Sequence, residues 1–310
     1  MRQIRTLVAG LGNMGRSHAL AYHGDPAFDI VGLVNRSPVA LPEELRGLSV
    51  STDFIETLGR LKPDLVSIAT YSDTHAEYAI AALEAGAHVF VEKPLATTVE
   101  DARRVAAAAR AAGRKVVVGY ILRHHPSWQR LIAEARALGG PYVFRLNLNQ
   151  QSSGPTWEVH KALMQTTSPI VDCGVHYVDV MCQITDALPV SVRGMGLRLT
   201  EEIAPSMYNY GHFQVLFADG SLGWYEAGWG PMMSDTAFFV KDVISPNGAV
   251  SIRMPEDARS DDIDTHTRTA RLRIHRVSSG DEDVSMADEP GHQELCNREA
   301  AFVAQAIRCL

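Results

Sequence analysis

Ile4-Arg5-Thr6-Leu7-Val8-Ala9-Gly10-Leu11-Gly12-Asn13-Met14-Gly15 joins a short β-type run to a glycine turn and then to the start of a helix. Glycines permit the tight turn, and a helix beginning directly behind them aims backbone N–H groups at an anion in front of it. A bare G-x-G-x-x-G pattern says little. Placed between a strand and a helix, it is the arrangement that binding a dinucleotide pyrophosphate requires.

The alternation continues outward from this stretch. Apolar runs at Ile30–Val34, Leu65–Ala69, Val89–Val91 and Val116–Gly119 are separated by helical patterns from Met14, near Pro42–Leu45, over Thr74–Ala85 and over Val99–Ala112. Repeated βα units predict a doubly wound parallel sheet over residues 1–120. After Gly119 the texture changes. A helix over Ser127–Leu138, a strand over Tyr142–Asn149 and one strong helix over Ile170–Ile184 precede six further strand-like runs: Val190–Leu199, Tyr210–Phe217, Leu222–Trp229, Thr236–Val243, Ala249–Met254 and Thr267–Val277. Hairpin-length links such as Ala218-Asp219-Gly220-Ser221 predict that residues 121–310 form an α+β domain with a large, mostly antiparallel open sheet. Ser278–Pro290, polar and acidic, reads as a mobile loop, and Gln293–Ile307 as a final helix.

Composition excludes several classes. The 310 residues carry a formal net charge of −7, and residues 1–120 are balanced at 13 Lys+Arg against 13 Asp+Glu, so the acidity lies in the second part. With no basic patch, nucleic acid is not an expected partner, and no apolar run is long enough to span a bilayer. The first residues lack the apolar core of a signal peptide. Cys173, Cys182, Cys296 and Cys309 show no metal spacing, and His124-His125 lacks an H-E-x-x-H context, so no metal site is expected. A reducing cytoplasm fits this cysteine usage.

Three further segments carry candidate chemistry. Val89-Phe90-Val91-Glu92-Lys93-Pro94 ends an apolar strand in a carboxylate and an ammonium, and ligands of open parallel sheets bind just beyond such strand ends. At the end of the second strand, where a carboxylate would hold the adenosine ribose and repel a 2′-phosphate, stands Asn35-Arg36-Ser37. Neutral amides and one cation tilt the reading toward NADP, with NAD as the alternative. In the second domain, Ser168 and Pro169 begin a helix that sets Asp172, His176 and Asp179 on one face, beside an apolar stripe of Val171, Val175, Val178 and Cys182. A polar stripe of this kind is costly unless its members are paired or face a cavity, which marks Asp172 and His176 as catalytic candidates. Tyr120 and Arg123 leave the last parallel strand where the two domains are expected to meet. Gln151, Trp157 and His160 follow a run of amides, a combination that can bind sugar hydroxyls and pack on a sugar face, or simply form an exposed sheet edge.

Gly10-Leu11-Gly12-Asn13-Met14-Gly15, Thr70-Tyr71-Ser72-Asp73-Thr74-His75, Glu92-Lys93-Pro94 and Asp172-Cys173-Gly174-Val175-His176, in that order, resemble the Gfo/Idh/MocA family of glucose–fructose oxidoreductase and inositol dehydrogenase-like proteins. The resemblance implies an N-terminal Rossmann domain and a C-terminal domain whose open sheet makes homodimer or homotetramer contacts. It further implies NAD(P)-dependent hydride transfer to or from a secondary alcohol or ketone of a sugar, inositol or related polyol. Gly10, Gly12, Asn13, Met14, Gly15, Asn35, Arg36, Ser37, Thr70, Tyr71, His75, Glu92 and Lys93 are then the expected cofactor residues. Lys93 would touch both the reacting hydroxyl and the nicotinamide ribose, Asp172 would bind substrate beside it, and His176 would exchange the hydroxyl proton. Two departures stand out: Tyr71 replaces a frequent proline, and Thr167-Ser168-Pro169-Ile170 replaces a glycine-rich lead into the Asp172 helix. The alternatives are imine or dihydrodiol redox chemistry or NAD-dependent glycoside cleavage on the same scaffold, and a non-catalytic, cofactor-dependent sensor.

Overall fold

A computed structural model describes residues 2–236, 238–261, 269–286 and 289–309. The chain divides into two units, Met1–Ile121 with Gly291–Leu310, and Leu122–Pro290.

The first unit is built on β1 (Ile4–Ala9), α1 (Asn13–Gly24), β2 (Phe28–Val34), β3 (Val50–Ser51), α2 (Phe54–Leu61), β4 (Leu65–Ile68), α3 (His75–Glu84), β5 (His88–Glu92), α4 (Val99–Ala112) and β6 (Val116–Gly119). Its six strands are all parallel, in the order β3-β2-β1-β4-β5-β6. The order reverses between β1 and β4, the switch point at whose carboxyl side such sheets bind ligands. Local chemistry sets the helices. Asp53 and Thr98 cap α2 and α4 by accepting the N–H groups of Glu56 and Asp101, and Gly113 closes α4 in the left-handed conformation. Buried Ala76, Ala79, Ala82 and Leu83 give α3 a flat face on the sheet. The segment expected as a helix near Pro42–Leu45 is one 3-10 turn, Glu43–Leu45.

The second unit contains α5 (Pro126–Leu138), β7 (Val143–Gln151), α6 (Gly154–Leu163), α7 (Pro169–Asp172), α8 (Gly174–Thr185), β8 (Pro189–Leu197), β9 (Tyr210–Phe217), β10 (Leu222–Gly230), β11 (Lys241–Ser245), β12 (Gly248–Arg253), β13 (Arg271–Arg276) and β14 (Gly280–Ser285). The eight strands run in the order β14-β13-β12-β11-β7-β10-β9-β8, and only β7 and β10 pair in parallel. Trp128, Leu131 and Ala135 of α5 and Tyr177, Val180 and Met181 of α8 join Phe144, Leu146, Tyr225 and Val250 of the sheet in one core.

Four expectations need correction. Ser278–Pro290 is not simply a loop: Gly280–Ser285 forms edge strand β14, held to β13 by the pairs Arg273–Asp283 at 2.8 Å, His275–Asp281 at 2.7 Å and Arg276–Glu282 at 2.8 Å. Cross-strand charge complementarity does the work that apolar alternation does elsewhere. Residues 287 and 288 of that segment, and 267 and 268 of the run expected at Thr267–Val277, lie outside the described residues. Of the run expected at Thr236–Val243, residue 237 lies outside the described residues, and among the rest strand begins at Lys241, with an isolated bridge from Thr236 to Arg259. The single helix expected over Ile170–Ile184 is interrupted at Cys173, and the buried stripe of α8 is Tyr177, Val180, Met181 and Ile184 rather than Val171, Val175, Val178 and Cys182. Finally, the second domain does not extend to residue 310. Helix α9 (His292–Arg308) belongs to the first unit, where Cys296, Ala300, Val303 and Ala304 pack against Ile4, Ala19, Tyr22 and Phe28.

Candidate active site

The carboxyl ends of β1, β4 and β5 carry the residues expected to hold a cofactor, and side chains bind these ends to one another. Gly10 has φ 89°, and a Cβ there would lie 2.3 Å from the Ala69 carbonyl oxygen beyond β4. A Cβ on Gly15 would lie 1.9 Å from the carbonyl oxygen of Gly10, so this turn closes only with glycine at both positions. Gly12 is different. Its side-chain position meets nothing within 4 Å, and no side chain caps the first turn of α1. The N–H groups of that turn, including those of Asn13 and half-buried Met14, therefore face an open cradle that suits a pyrophosphate.

Asn35 departs from expectation. Its Oδ1 accepts the Leu11 N–H at 2.9 Å and its Nδ2 donates to the Ser37 carbonyl at 2.7 Å, so the amide fixes the glycine loop to the end of β2 instead of reaching outward for a ribose. Arg36 and Ser37 are exposed, and the Arg36 guanidinium lies 5.8 Å from the centre of the Tyr71 ring, itself 52% exposed. The cation and the aromatic ring that stands in place of proline are thus brought together. Thr74 donates to the Tyr71 carbonyl and accepts from Thr70 Oγ1 at 2.7 Å, which stiffens that loop.

His75 and Glu92 are buried, a correction to their expected part as cofactor contacts. The His75 ring nitrogens lie 2.7 Å from the Pro94 carbonyl oxygen and 3.1 Å from that of Thr70, so the ring staples the β4 and β5 loops together. Glu92 accepts from His18 Nε2 at 2.6 Å through one oxygen and from the Lys93 backbone N–H at 3.2 Å through the other. Half-buried Lys93 follows at the strand end, with Pro94 behind a cis peptide. Tyr120, half-buried, leaves β6 with its N–H bonded to the Val118 carbonyl at 2.8 Å.

Sequence reasoning passed over His18 and Glu299. Glu299 is 1% exposed, its Oε2 is 4.0 Å from His18 Nδ1, and neither of its oxygens has a hydrogen-bond partner among the described residues. Burial, and then the nearby Glu92 carboxylate, push its carboxyl well above the ordinary carboxylate range. A charged residue on the same face of α9 as Cys296, Ala300 and Val303 was the signal available. The pH dependence follows from the sign of the shift. Below the ordinary carboxylate pKa both folded and unfolded chains hold the proton, and as pH rises the unfolded chain ionises first, which costs stability. Glu299→Gln is therefore expected to leave thermal stability unchanged near pH 4 and to raise it at pH 8 by roughly 1 kcal/mol, or about 2–4 °C in Tm. Melting curves at the two pH values check this, and an equal change at both would contradict it.

In the second unit, Ser168 Oγ accepts the Val171 N–H and Pro169 opens α7, as expected, and α7 ends at half-buried Asp172. The Cys173 thiol lies 3.8 Å from Asp172 Oδ2. His176, also half-buried, stands in the first turn of α8 and donates its N–H to the Cys173 carbonyl at 3.2 Å. Asp179 is engaged elsewhere: it receives Arg123 Nε at 2.9 Å and Nη2 at 2.5 Å, and Gln183 Nε2 at 2.8 Å. This fork-to-fork pair anchors α8, so the Arg123 guanidinium is committed to Asp179 rather than presented to a substrate.

The amide-rich segment is likewise structural for much of its length. Asn147 bonds both the Phe238 carbonyl and the Val240 N–H, and Asn149 donates to Glu226 across the sheet. Gln151, half-buried, ends β7 with its backbone N–H on Ser260 Oγ at 3.1 Å. Trp157 is buried with Nε1 3.3 Å from Glu202 Oε1, and buried His160 stacks on Trp229 at 4.2 Å. Neither presents the open aromatic face expected for packing on a sugar, because both rings complete the unit's own interior.

Comparison with known proteins bears on the fold and the family. Residues 4–120 match the oxidoreductase family with an NAD-binding Rossmann fold, and residues 129–240 match the GFO/IDH/MocA C-terminal domain. The chain is 29% identical to inositol 2-dehydrogenase of Acidothermus cellulolyticus over 67% of its own length and 61% of that protein's. It is 28% identical to scyllo-inositol 2-dehydrogenase (NAD(+)) of Bacillus subtilis over 73% and 67%. The fold is similar to that of UDP-N-acetylglucosamine 3-dehydrogenase from Acidithiobacillus ferrooxidans, with a TM-score of 0.77 at 21% identity, covering 100% of this chain and 90% of that one. Since the two matches together take in well over half of the residues and fall one in each unit, the chain belongs to the Gfo/Idh/MocA family of oxidoreductases.

Proposed function

We propose that this protein is an NAD(P)-dependent dehydrogenase or reductase acting on a secondary alcohol or ketone of a sugar, inositol or related polyol. The observation that carries the reading is the joining of the three loops of the first unit: Gly10 seated on Ala69 and His75 bonded to Thr70 and Pro94 put Lys93 on the same strand-end surface as the open pyrophosphate cradle. A bound nicotinamide dinucleotide supplies the hydride acceptor or donor. Gly10, Gly12, Asn13, Met14 and Gly15 hold its pyrophosphate, Arg36, Ser37, Thr70 and Tyr71 its adenosine end, and Asn35, His75 and Glu92 keep those loops in place. Lys93 binds the reacting hydroxyl and stabilises negative charge that develops on its oxygen. Asp172 binds the substrate, and His176 takes or returns the hydroxyl proton, a task suited to imidazole because its unperturbed pKa lies near neutrality. Tyr120 and Gln151 are the remaining candidates for substrate contact. Initial rates over a panel of inositols, aldoses and keto-sugars with NAD and NADP test the reading, which fails if no member of the panel changes cofactor absorbance.

The NADP preference rests on the Arg36–Tyr71 pair and on the missing carboxylate at the end of β2. Arg36→Ala is expected to raise KM for NADP by about tenfold, the loss of one charge-assisted hydrogen bond, with KM for NAD changing much less. A wild-type enzyme that binds NAD more tightly than NADP would reject this assignment.

Assembly as a homodimer or homotetramer through the eight-stranded sheet is supported by apolar side chains exposed on it, among them Val143, Met195, Leu216, Leu222 and Ile244. Light scattering after size exclusion measures the state directly. The four cysteines are free thiols, which accords with a reducing cytoplasm, and among the described residues no helix is long and apolar enough to cross a membrane.

A further inference from the structure

Beneath the Lys93 turn lies a row of three buried ionisable side chains from three separate elements of the first unit. His18 on α1 is 1% exposed, Glu92 at the end of β5 is 6% exposed, and Glu299 comes from α9. His18 turns Nε2 to Glu92 at 2.6 Å and Nδ1 toward Glu299 at 4.0 Å. The three are close enough to hold a cation, but the two carboxyl groups face opposite ring nitrogens and only the His18–Glu92 contact has hydrogen-bond length, so the row is a hydrogen-bonded His18–Glu92 pair with Glu299 beyond it. Around it stand Tyr22 on α1, Cys296 on α9 and the Phe90 ring 4.7 Å from His18. His18 holds one Glu92 oxygen from below, while the other Glu92 oxygen holds the Lys93 N–H from above.

We propose that His18 is a positioning residue for Lys93, acting through the Glu92 carboxylate. The proposal rests on the reading of Lys93 as the group that touches the reacting hydroxyl. Without His18, one Glu92 oxygen loses this buried hydrogen bond, and the strand end that carries Lys93 shifts with it. Displacing a catalytic group by about 1 Å can cost roughly a hundredfold in rate.

The test uses the full chain labelled with 15N-lysine, which gives five backbone amide signals, with that of Lys93 identified by its loss in Lys93→Met. In His18→Leu the Lys93 amide signal is expected to move upfield as its bond to Glu92 weakens, with the other four unmoved. The same variant is expected to lose about a hundredfold in kcat, with substrate KM and cofactor Kd within about threefold. His18→Gln, whose amide nitrogen can stand in for Nε2, should restore both the signal and most of kcat. Should His18→Leu fail to fold, His18→Asn serves instead, since its amide mimics Nδ1 and cannot reach Glu92. A Lys93 signal that stays in place in the Leu or Asn variant overturns the proposal. A signal that moves while kcat stays unchanged, with Lys93→Met also fully active, upholds the positioning and removes the catalytic reading of Lys93.

Discussion

Lys93→Met is expected to lower kcat by about 10²–10³-fold, the usual cost of removing one preorganised charge that stabilises a developing oxyanion. Methionine keeps the length and apolar stem of the lysine, so the change isolates the ammonium. The turn has holds that leave the ammonium out: the Lys93 backbone N–H on Glu92, and His75 on the Pro94 carbonyl. Folding and dinucleotide binding should survive, with cofactor Kd, followed by quenching of protein fluorescence, within about threefold of wild type because the pyrophosphate cradle is untouched. A variant with wild-type turnover would remove Lys93 from the chemistry, and one that fails to bind cofactor would show that the side chain supports the fold.

The second large effect concerns the proton. His176→Ala is expected to reduce kcat by about 10²–10⁴-fold at neutral pH, the range for loss of a positioned general base. Alanine suits the first turn of α8, and the backbone bond from His176 to Cys173 does not involve the ring, so the helix should persist. The diagnostic is the shape of the pH profile. With the base removed, alcohol oxidation should climb with pH where the wild-type enzyme levels off, because the alkoxide then forms by equilibrium with solvent. A parallel profile at reduced height would indicate that His176 positions the substrate without taking its proton.

How much of this was legible depended on the range over which each residue acts. Most of the parallel unit could be read because its signals are local: the glycine turn and the apolar runs each decide their own few residues, although α2, capped by Asp53, was passed over. Strand β14 could not, because Asp281 and Asp283 make sense only opposite His275 and Arg273, and Glu282 only on the diagonal from Arg276. The same limit governs the site. Lys93 was visible as an ammonium at a strand end, whereas the work of Asn35, Glu92, His75 and Arg123 is fixed by partners 24 to 74 residues distant or by neighbouring loops. Trp157 and His160 looked like ligand-facing groups because an aromatic ring in a polar loop has the same local appearance whether it meets a sugar or a second aromatic ring.

Helix α9 bears on how the molecule is made. The chain leaves the dinucleotide-binding unit after β6, completes the whole eight-stranded unit, and only then returns to supply Cys296, Glu299, Ala300 and Val303 to the layer begun by β1 and α1. During synthesis, α1 therefore emerges with one apolar face uncovered and keeps it so until the whole eight-stranded unit and then α9 have followed. Damage confined to α9 would accordingly be felt at β1 and α1, far from it in sequence but in the same layer.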